Sequence, residues 1–308
     1  MSELLTGILP VLPTPFSRDG EVDGSAMSDL VEYAVSSGVA GVVFPGFASE
    51  VEHLKSEERR ALLAIVARST NRRVPVVAGA SGETIQDIIE HGKYAEKLGI
   101  SWLMIQPPKL IGSSAEDVIA FFTSVSAALP EARIILQNAP APRGSDLPPE
   151  TIIQVVTAVL QIIYVKEETL PSGPAITHIL NERPTSLLGV IGGGGARYIL
   201  DEYARGACAA MPAIEIAEAH VDLDRAWRAG DHATARDIYI RTLPLLTLQA
   251  VYRMRLTKHV MMRRGILHNS IVRAPTAALD PVSIADIEAS LIELGIASVP
   301  PKQLKQSA

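Results

Sequence analysis

In the run Ile162-Ile163-Tyr164-Val165-Lys166-Glu167-Glu168, four apolar or aromatic residues lead directly into a lysine followed by two acids. Thr169, Pro171 and Gly173 follow, so the run reads as a buried strand ending at Lys166 or just after it. Side chains alternate along a strand, which sets Tyr164, Lys166 and Glu168 on one face and Glu167 on the other. The chemistry open to such a pair is addition of an uncharged amine to a ketone carbon, with the carboxylate two residues on acting as a base. The same residues also fit a structural ion pair, or a lysine whose stem snorkels to the surface.

The elements that must position this strand alternate along the chain. Apolar strand patterns are expected at 7–16, 39–45, 74–79, 101–106, 133–138, 162–166, 186–191 and 206–211. Helical patterns fall between them at 23–37, 56–68, 84–98, 115–129, 149–159, 174–181 and 196–205, with Ser56 as the expected N-cap of the second. Eight short strands, each followed by a helical pattern, predict a (β/α)8 TIM barrel. A doubly wound sheet is the alternative, but its first turn usually carries a phosphate fingerprint, and Thr14-Pro15-Phe16 has none. After Pro212 the strands stop. Helical patterns at 214–228, 232–264 and 282–294 predict a barrel over 1–212 and a helical C-terminal region over 213–308 packed on it.

A barrel of this class carries its site at the C-terminal ends of the strands. Among those ends Lys166 is the one lysine, and desolvation in an apolar setting favours a neutral amine. Gly46-Phe47-Ala48-Ser49-Glu50 is expected to hold a substrate carboxylate through backbone N–H groups and Ser49, or to be an ordinary strand-to-helix turn. Gly192-Gly193-Gly194-Gly195 fits either an anion site at the following helix or a turn packed close to a ligand. Thr14 reads as a supporting hydroxyl or a turn residue. The basic run 253–264 reads as a solvated helix face, or as one reaching toward the barrel or a neighbouring subunit.

Composition narrows the function classes. The chain has 308 residues and 47% hydrophobic content, enough for a large core. A net charge of −6 gives no support to nucleic-acid binding. Cys208 is the sole cysteine, which excludes an intrachain disulfide and fits a cytoplasmic location. The start Met1-Ser2-Glu3-Leu4-Leu5 carries no signal-peptide pattern, and the apolar stretch 152–165 is too short and polar to span a bilayer. No His-Glu-x-x-His, cysteine cluster or Asp-rich loop supports a metal site.

Val165-Lys166-Glu167-Glu168, the spacing of Gly46, Glu50 and Leu54, Asn138 with Pro140, and the Pro10-Val11-Leu12-Pro13-Thr14-Pro15-Phe16 opening together resemble the dihydrodipicolinate synthase and N-acetylneuraminate lyase family over roughly residues 5 to 297. The resemblance implies a (β/α)8 barrel, a Lys166 imine with a small 2-oxo acid, no cofactor, no metal and a homotetramer. It also implies substrate-binding roles for Phe47, Ala48, Ser49, Asn138, Gly192 and Gly193. Departures are informative: Gln137 stands where most members have tyrosine, and Phe47 and Ala48 stand where most have threonines, so the hydroxyls of the family's proton relay are absent together. Gln137, a glutamate two residues after the lysine, and the motif Lys258 to Gly265 resemble the 2-keto-3-deoxy-pentonate dehydratase subgroup, such as L-2-keto-3-deoxyarabonate dehydratase.

An iminium at C2 of a 2-oxo acid acidifies the C3 protons. Glu168 as base then gives an enamine that can expel the C4 hydroxyl, which is dehydration. Cleavage of C3–C4 needs a base at the C4 hydroxyl, and Gln137 cannot supply one. The expected catalytic residues are therefore Lys166, Glu168 and Gln137, and the expected reaction is dehydration of a 2-keto-3-deoxy sugar acid. A class I pyruvate-dependent aldolase and a non-catalytic 2-oxo-acid binder are the alternatives.

Overall fold

The structure, a computed structural model, describes residues 4–296. Met1-Ser2-Glu3, part of the start read above, and 297–308, the end of the expected C-terminal region, lie outside the described residues. In chain order the elements are β1 (Gly7–Ile8), α1 (Gly24–Ser36), β2 (Val42–Phe44), α2 (Ser56–Thr70), β3 (Val76–Gly79), α3 (Ile85–Lys97), β4 (Trp102–Ile105), α4 (Ala115–Ala128), β5 (Arg133–Asn138), α5 (Pro149–Ala158), β6 (Ile162–Glu167), α6 (Ser172–Glu182), β7 (Gly189–Gly192), α7 (Ile199–Ala204) and β8 (Ala209–Ala210). The eight strands fall in one sheet of order β1-β8-β7-β6-β5-β4-β3-β2, with a helix after each: a (β/α)8 barrel. Among the described residues four helices follow the barrel: α8 (Ala217–Arg228), α9 (His232–Tyr252), α10 (Met254–Arg263) and α11 (Pro281–Glu293). No described helix is long and apolar enough to cross a membrane.

Two compact units divide the chain: the segment up to Thr6 with Val76–Met211, and Gly7–Pro75 with the chain from Pro212 onward. In the first unit, β3 to β8 pair in parallel with their chain neighbours. These strands read as near-continuous apolar runs because a parallel sheet is covered on both faces, and Val77, Leu103, Ile135 and Val165 are fully buried. Side-chain caps start the intervening helices: Thr84 accepts from the Asp87 N–H at 3.2 Å and Ser114 from the Asp117 N–H at 3.2 Å.

The second unit departs from expectation in several places. The first strand, expected over 7–16, is regular only at Gly7–Ile8, because Pro10, Pro13 and Pro15 have no N–H for a ladder. The N-cap of α2 is Lys55, not Ser56: the Glu58 carboxylate accepts the Lys55 N–H at 2.8 Å, so no hydroxyl is needed there. The helix expected over 232–264 breaks at Arg253, whose φ of 51° and ψ of −129° end α9 and begin α10. The break lets α10 aim Leu256 and Val260 into a core with Ile216, Leu245, Leu246, Ile287 and Leu291.

The basic run on α10 is not a solvated face. Arg263 pairs with Glu288, and Arg264 pairs with Glu218 and donates to the Tyr33 hydroxyl. Lys258 is 1% exposed, bonds Glu50 and the Ile271 carbonyl, and lies 4.1 Å from the Phe16 ring centre. Glu50 also accepts the Arg273 and Ala274 N–H groups, each at 2.7 Å. Acids on neighbouring segments drew these cations inward, which a one-dimensional charge pattern does not reveal. Burial pushes the Lys258 ammonium down to about 8 despite the opposing pull of Glu50, so the pair is a weak source of net stability. Removing one partner is a different matter. Lys258→Met is expected to cost about 3–5 kcal/mol in urea unfolding, because it strands the Glu50 charge in the core.

His220 on α8 is 1% exposed, and neither ring nitrogen has a hydrogen-bond partner among the described residues. Burial pushes the imidazole down from 6.5 to about 4. The folded state therefore binds fewer protons than the unfolded state, so this contribution is present above pH 6.5 and lost as pH falls through 4. His220→Leu is expected to remove about 2 kcal/mol of the stability loss between about pH 7 and pH 5, read by urea unfolding at the two values.

Candidate active site

The register of β5, β6 and β7 builds the site in the first unit. Gln137 on β5 lies opposite Lys166 on β6, and Asn138 lies opposite Glu167. The backbone N–H of Glu168 donates to the Asn138 carbonyl at 2.9 Å, which holds the residue after β6 against the end of β5. Lys166 is 4% exposed and Gln137 4%. Lys166 Nζ lies 2.7 Å from Glu168 Oε1, and Gln137 Nε2 donates to that same oxygen at 2.6 Å. The three residues expected to carry the chemistry are thus brought together on a single carboxylate oxygen. A proton can pass between the amine and the carboxylate without either side chain moving far, while the amide holds the carboxylate in place.

The alternation of the strands gives Asn138 and Glu167 a different role. Asn138 is fully buried; its Nδ2 donates to the Leu147 carbonyl and to Glu167 Oε2, each at 3.0 Å, and its Oδ1 accepts the Leu147 N–H at 2.8 Å. Both amide hydrogens are used, so Asn138 ties the loop after β5 to the strand instead of offering a donor to substrate, as the sequence reading expected. Glu167, also fully buried, accepts the Thr169 N–H at 2.7 Å as well. Burial pushes its carboxyl above the usual range, against the pull of the Asn138 and Thr169 donors.

The glycines after β7 are explained by two acids. A Cβ on Gly193 would lie 2.4 Å from Glu168 Cγ, and one on Gly192 would lie 2.0 Å from Glu202 Oε2. Gly193 therefore gives Glu168 the room to reach Lys166, and Gly192 accommodates Glu202 of α7. Gly194 and Gly195 adopt φ of 56° and 68°, a region that favours glycine. Gly193→Ala is expected to push Glu168 off Lys166 and lower turnover by up to about 100-fold, the scale of a misplaced catalytic group; steady-state kinetics beside an unchanged circular dichroism spectrum would read this.

Glu202 was not foreseen. It is 1% exposed, and burial pushes its carboxyl up to about 7, opposed by the Ser172 hydroxyl and reinforced by Glu168, Asp201 and Glu167. The available signal was an acid among Ile199, Leu200 and Tyr203, the buried residues of α7.

Phe47, Ala48 and Ser49 form a 3-10 turn after β2 in the second unit. The fully buried Ser49 hydroxyl donates to the Leu12 carbonyl and accepts the Gly46 N–H at 2.9 Å. Thr14 donates to the Ser49 carbonyl at 2.6 Å. The Ser49 and Thr14 hydroxyls therefore shape this turn, so Ser49 is not the open donor to a carboxylate that was expected. Phe47 and Ala48 bring no hydroxyl.

Comparison with known proteins agrees with this architecture. The model of the "Dihydrodipicolinate synthetase family" matches residues 4–292. A 4-hydroxy-tetrahydrodipicolinate synthase of Chelativorans sp. (strain BNC1) is 26% identical over 307 residues, spanning 95% of this chain and 99% of that protein. The crystal structure of dihydrodipicolinate synthase from Rhodopseudomonas palustris gives a TM-score of 0.87 at 24% identity, covering 94% of this chain and 98% of that one. YagE, a prophage protein of the dihydrodipicolinic acid synthase family from E. coli K12, was solved in complex with pyruvate. It also gives 0.87 at 24% identity, covering 96% of this chain and 100% of that one.

Proposed function

Because the chain belongs to the dihydrodipicolinate synthetase family, whose members are aldolase-type lyases, we propose that Lys166 forms a Schiff base with a 2-oxo acid and that the enzyme dehydrates a 2-keto-3-deoxy sugar acid. The observation that carries this reading is the Glu168 oxygen held at once by Lys166 Nζ and Gln137 Nε2. Glu168 takes a proton from the Lys166 ammonium, the free amine adds to C2, and Glu168 returns that proton to the C2 hydroxyl, which leaves as water and gives the iminium with Glu168 ionised again. Glu168 then removes a C3 proton, giving the enamine. Collapse of the enamine breaks the C4–O bond, and the proton held by Glu168 leaves with the hydroxide as water. Hydrolysis of the imine restores the amine and releases an unsaturated 2-oxo acid, which tautomerises through the enol at its C5 hydroxyl to the oxo-aldehyde.

Gln137 supports water loss over carbon–carbon cleavage, because an amide cannot take the C4 hydroxyl proton. A relative from Escherichia coli (strain K12), named putative 2-dehydro-3-deoxy-D-gluconate aldolase YagE and 32% identical over 168 residues, supports the second reading, a class I pyruvate-dependent aldolase. The test is incubation with a panel of 2-keto-3-deoxy acids, assayed in parallel for pyruvate and for the dehydrated oxo-aldehyde, with borohydride trapping at Lys166 followed by peptide mass. Water loss without pyruvate is expected. Stoichiometric pyruvate would replace dehydration by cleavage, and an absence of any adduct at Lys166 would overturn both readings. Pyruvate that raises the melting temperature without turnover of any acid would indicate a binding protein. We extend the proposal to a homotetramer and a cytoplasmic location on the family resemblance and the cysteine usage; light scattering tests the first and fractionation the second.

A further inference from the structure

Lys166 and Glu168 lie on one face of β6, so the residue between them points the other way. That residue, Glu167, is fully buried, and a carboxylate is tolerated there only if donors meet it. Asn138 Nδ2 donates to its Oε2 at 3.0 Å, and its Oε1 accepts the Thr169 N–H at 2.7 Å and the Thr169 hydroxyl at 2.5 Å. These donors flank Glu168. Thr169 follows it in the chain, and the Asn138 carbonyl accepts its N–H at 2.9 Å. The Glu167 side chain therefore spans Glu168 and closes on the residue beyond it, a side-chain bond two residues ahead of the kind that fixes turns.

The bridge stands where the sheet lets go of the chain. β6 ends at Glu167, and Leu170 is already 63% exposed. Asn138 is itself anchored, since its side chain bonds both the carbonyl and the N–H of Leu147. We propose that Glu167 and Thr169 are positioning residues: the bonds between them, braced by Asn138, aim the Glu168 carboxylate at the Lys166 amine. Their effect on catalysis rests on the Schiff-base reading; the placement of Glu168 does not. With the bridge cut, the turn after β6 can swing, and a displacement of about 1 Å at a reacting group costs up to about 100-fold in rate.

The experiment compares the wild type with Thr169→Val, Thr169→Ser and Glu167→Gln. Exchange of the pyruvate methyl hydrogens in D2O, followed by proton NMR, reads the C3 step: Glu168 takes a methyl proton from the iminium, trades it with solvent and returns a deuteron. Thr169→Val keeps the side-chain size and drops the hydroxyl donor, and Glu167→Gln sets an amide nitrogen among donors. In both, the final yield of borohydride-trapped Lys166 is expected to be retained while exchange slows by about 10- to 100-fold. Thr169→Ser, which keeps the hydroxyl, is expected to stay within about twofold of wild type. Crystal structures of the wild type and Thr169→Val read the placement itself: the Lys166 Nζ to Glu168 Oε1 separation, 2.7 Å in the wild type, is expected to pass about 3.5 Å. Unchanged exchange with only the melting temperature lowered would reduce the bridge to packing and overturn the proposal, as would slowed exchange with Glu168 still on Lys166. If even the wild type is not trapped, the Schiff-base reading fails, and the two crystal structures alone then uphold or overturn the positioning of Glu168.

Discussion

Lys166→Arg is expected to abolish pyruvate trapping and to lower turnover by at least about 1,000-fold. A guanidinium stays protonated at every usable pH, so it has no lone pair to offer a ketone. It can still pair with Glu168, whose Oε1 is 2.7 Å from the native amine, so the fold is expected to survive. That separates the two readings of the residue. If Lys166 were only half of a structural ion pair, arginine would serve nearly as well and activity would remain. Turnover within about tenfold of wild type in a folded Lys166→Arg protein would remove the lysine from the mechanism.

Glu168→Gln is expected to split binding from chemistry. Without a base at C3, turnover of a 2-keto-3-deoxy acid should fall by about 100- to 10,000-fold. Imine formation with pyruvate should persist, slower but detectable by trapping, because the amine is still present. The substitution keeps the volume against Gly193, where an added Cβ would lie 2.4 Å from Glu168 Cγ, and it keeps a carbonyl oxygen for the Gln137 amide. A loss of folding is therefore not expected, and the melting temperature checks it. If turnover is undiminished, the C3 proton is taken by another group and the role given to Glu168 is wrong.

These expectations depend on features of unequal visibility. Lys166 and Glu168 were legible because a charge at the end of an apolar strand is conspicuous and the two-residue period of a strand is rigid. Gln137 was legible only through the family resemblance. That its amide shares one oxygen with Lys166 is a matter of register between β5 and β6, which no local pattern encodes. Asn138 shows the limit from the other side. It sits next to Gln137, yet the same alternation turns it to the far face, where Glu167 and Leu147 use its whole amide. Ser49 likewise spends its hydroxyl on its own turn.

By itself the sequence determined the alternation of strands and helices, the (β/α)8 class and the strand that carries the reactive amine, because apolar periodicity and Gly and Pro breaks are local properties. Only the tertiary structure decided which polar atoms meet. It drew Lys258 from a basic helix onto Glu50 in one unit, and in the other set Glu168 against Gly193 and Glu202 against Gly192. The reason is physical: a buried charge is tolerated only where a partner or a proton meets it, and that meeting is settled by segments far apart in the chain.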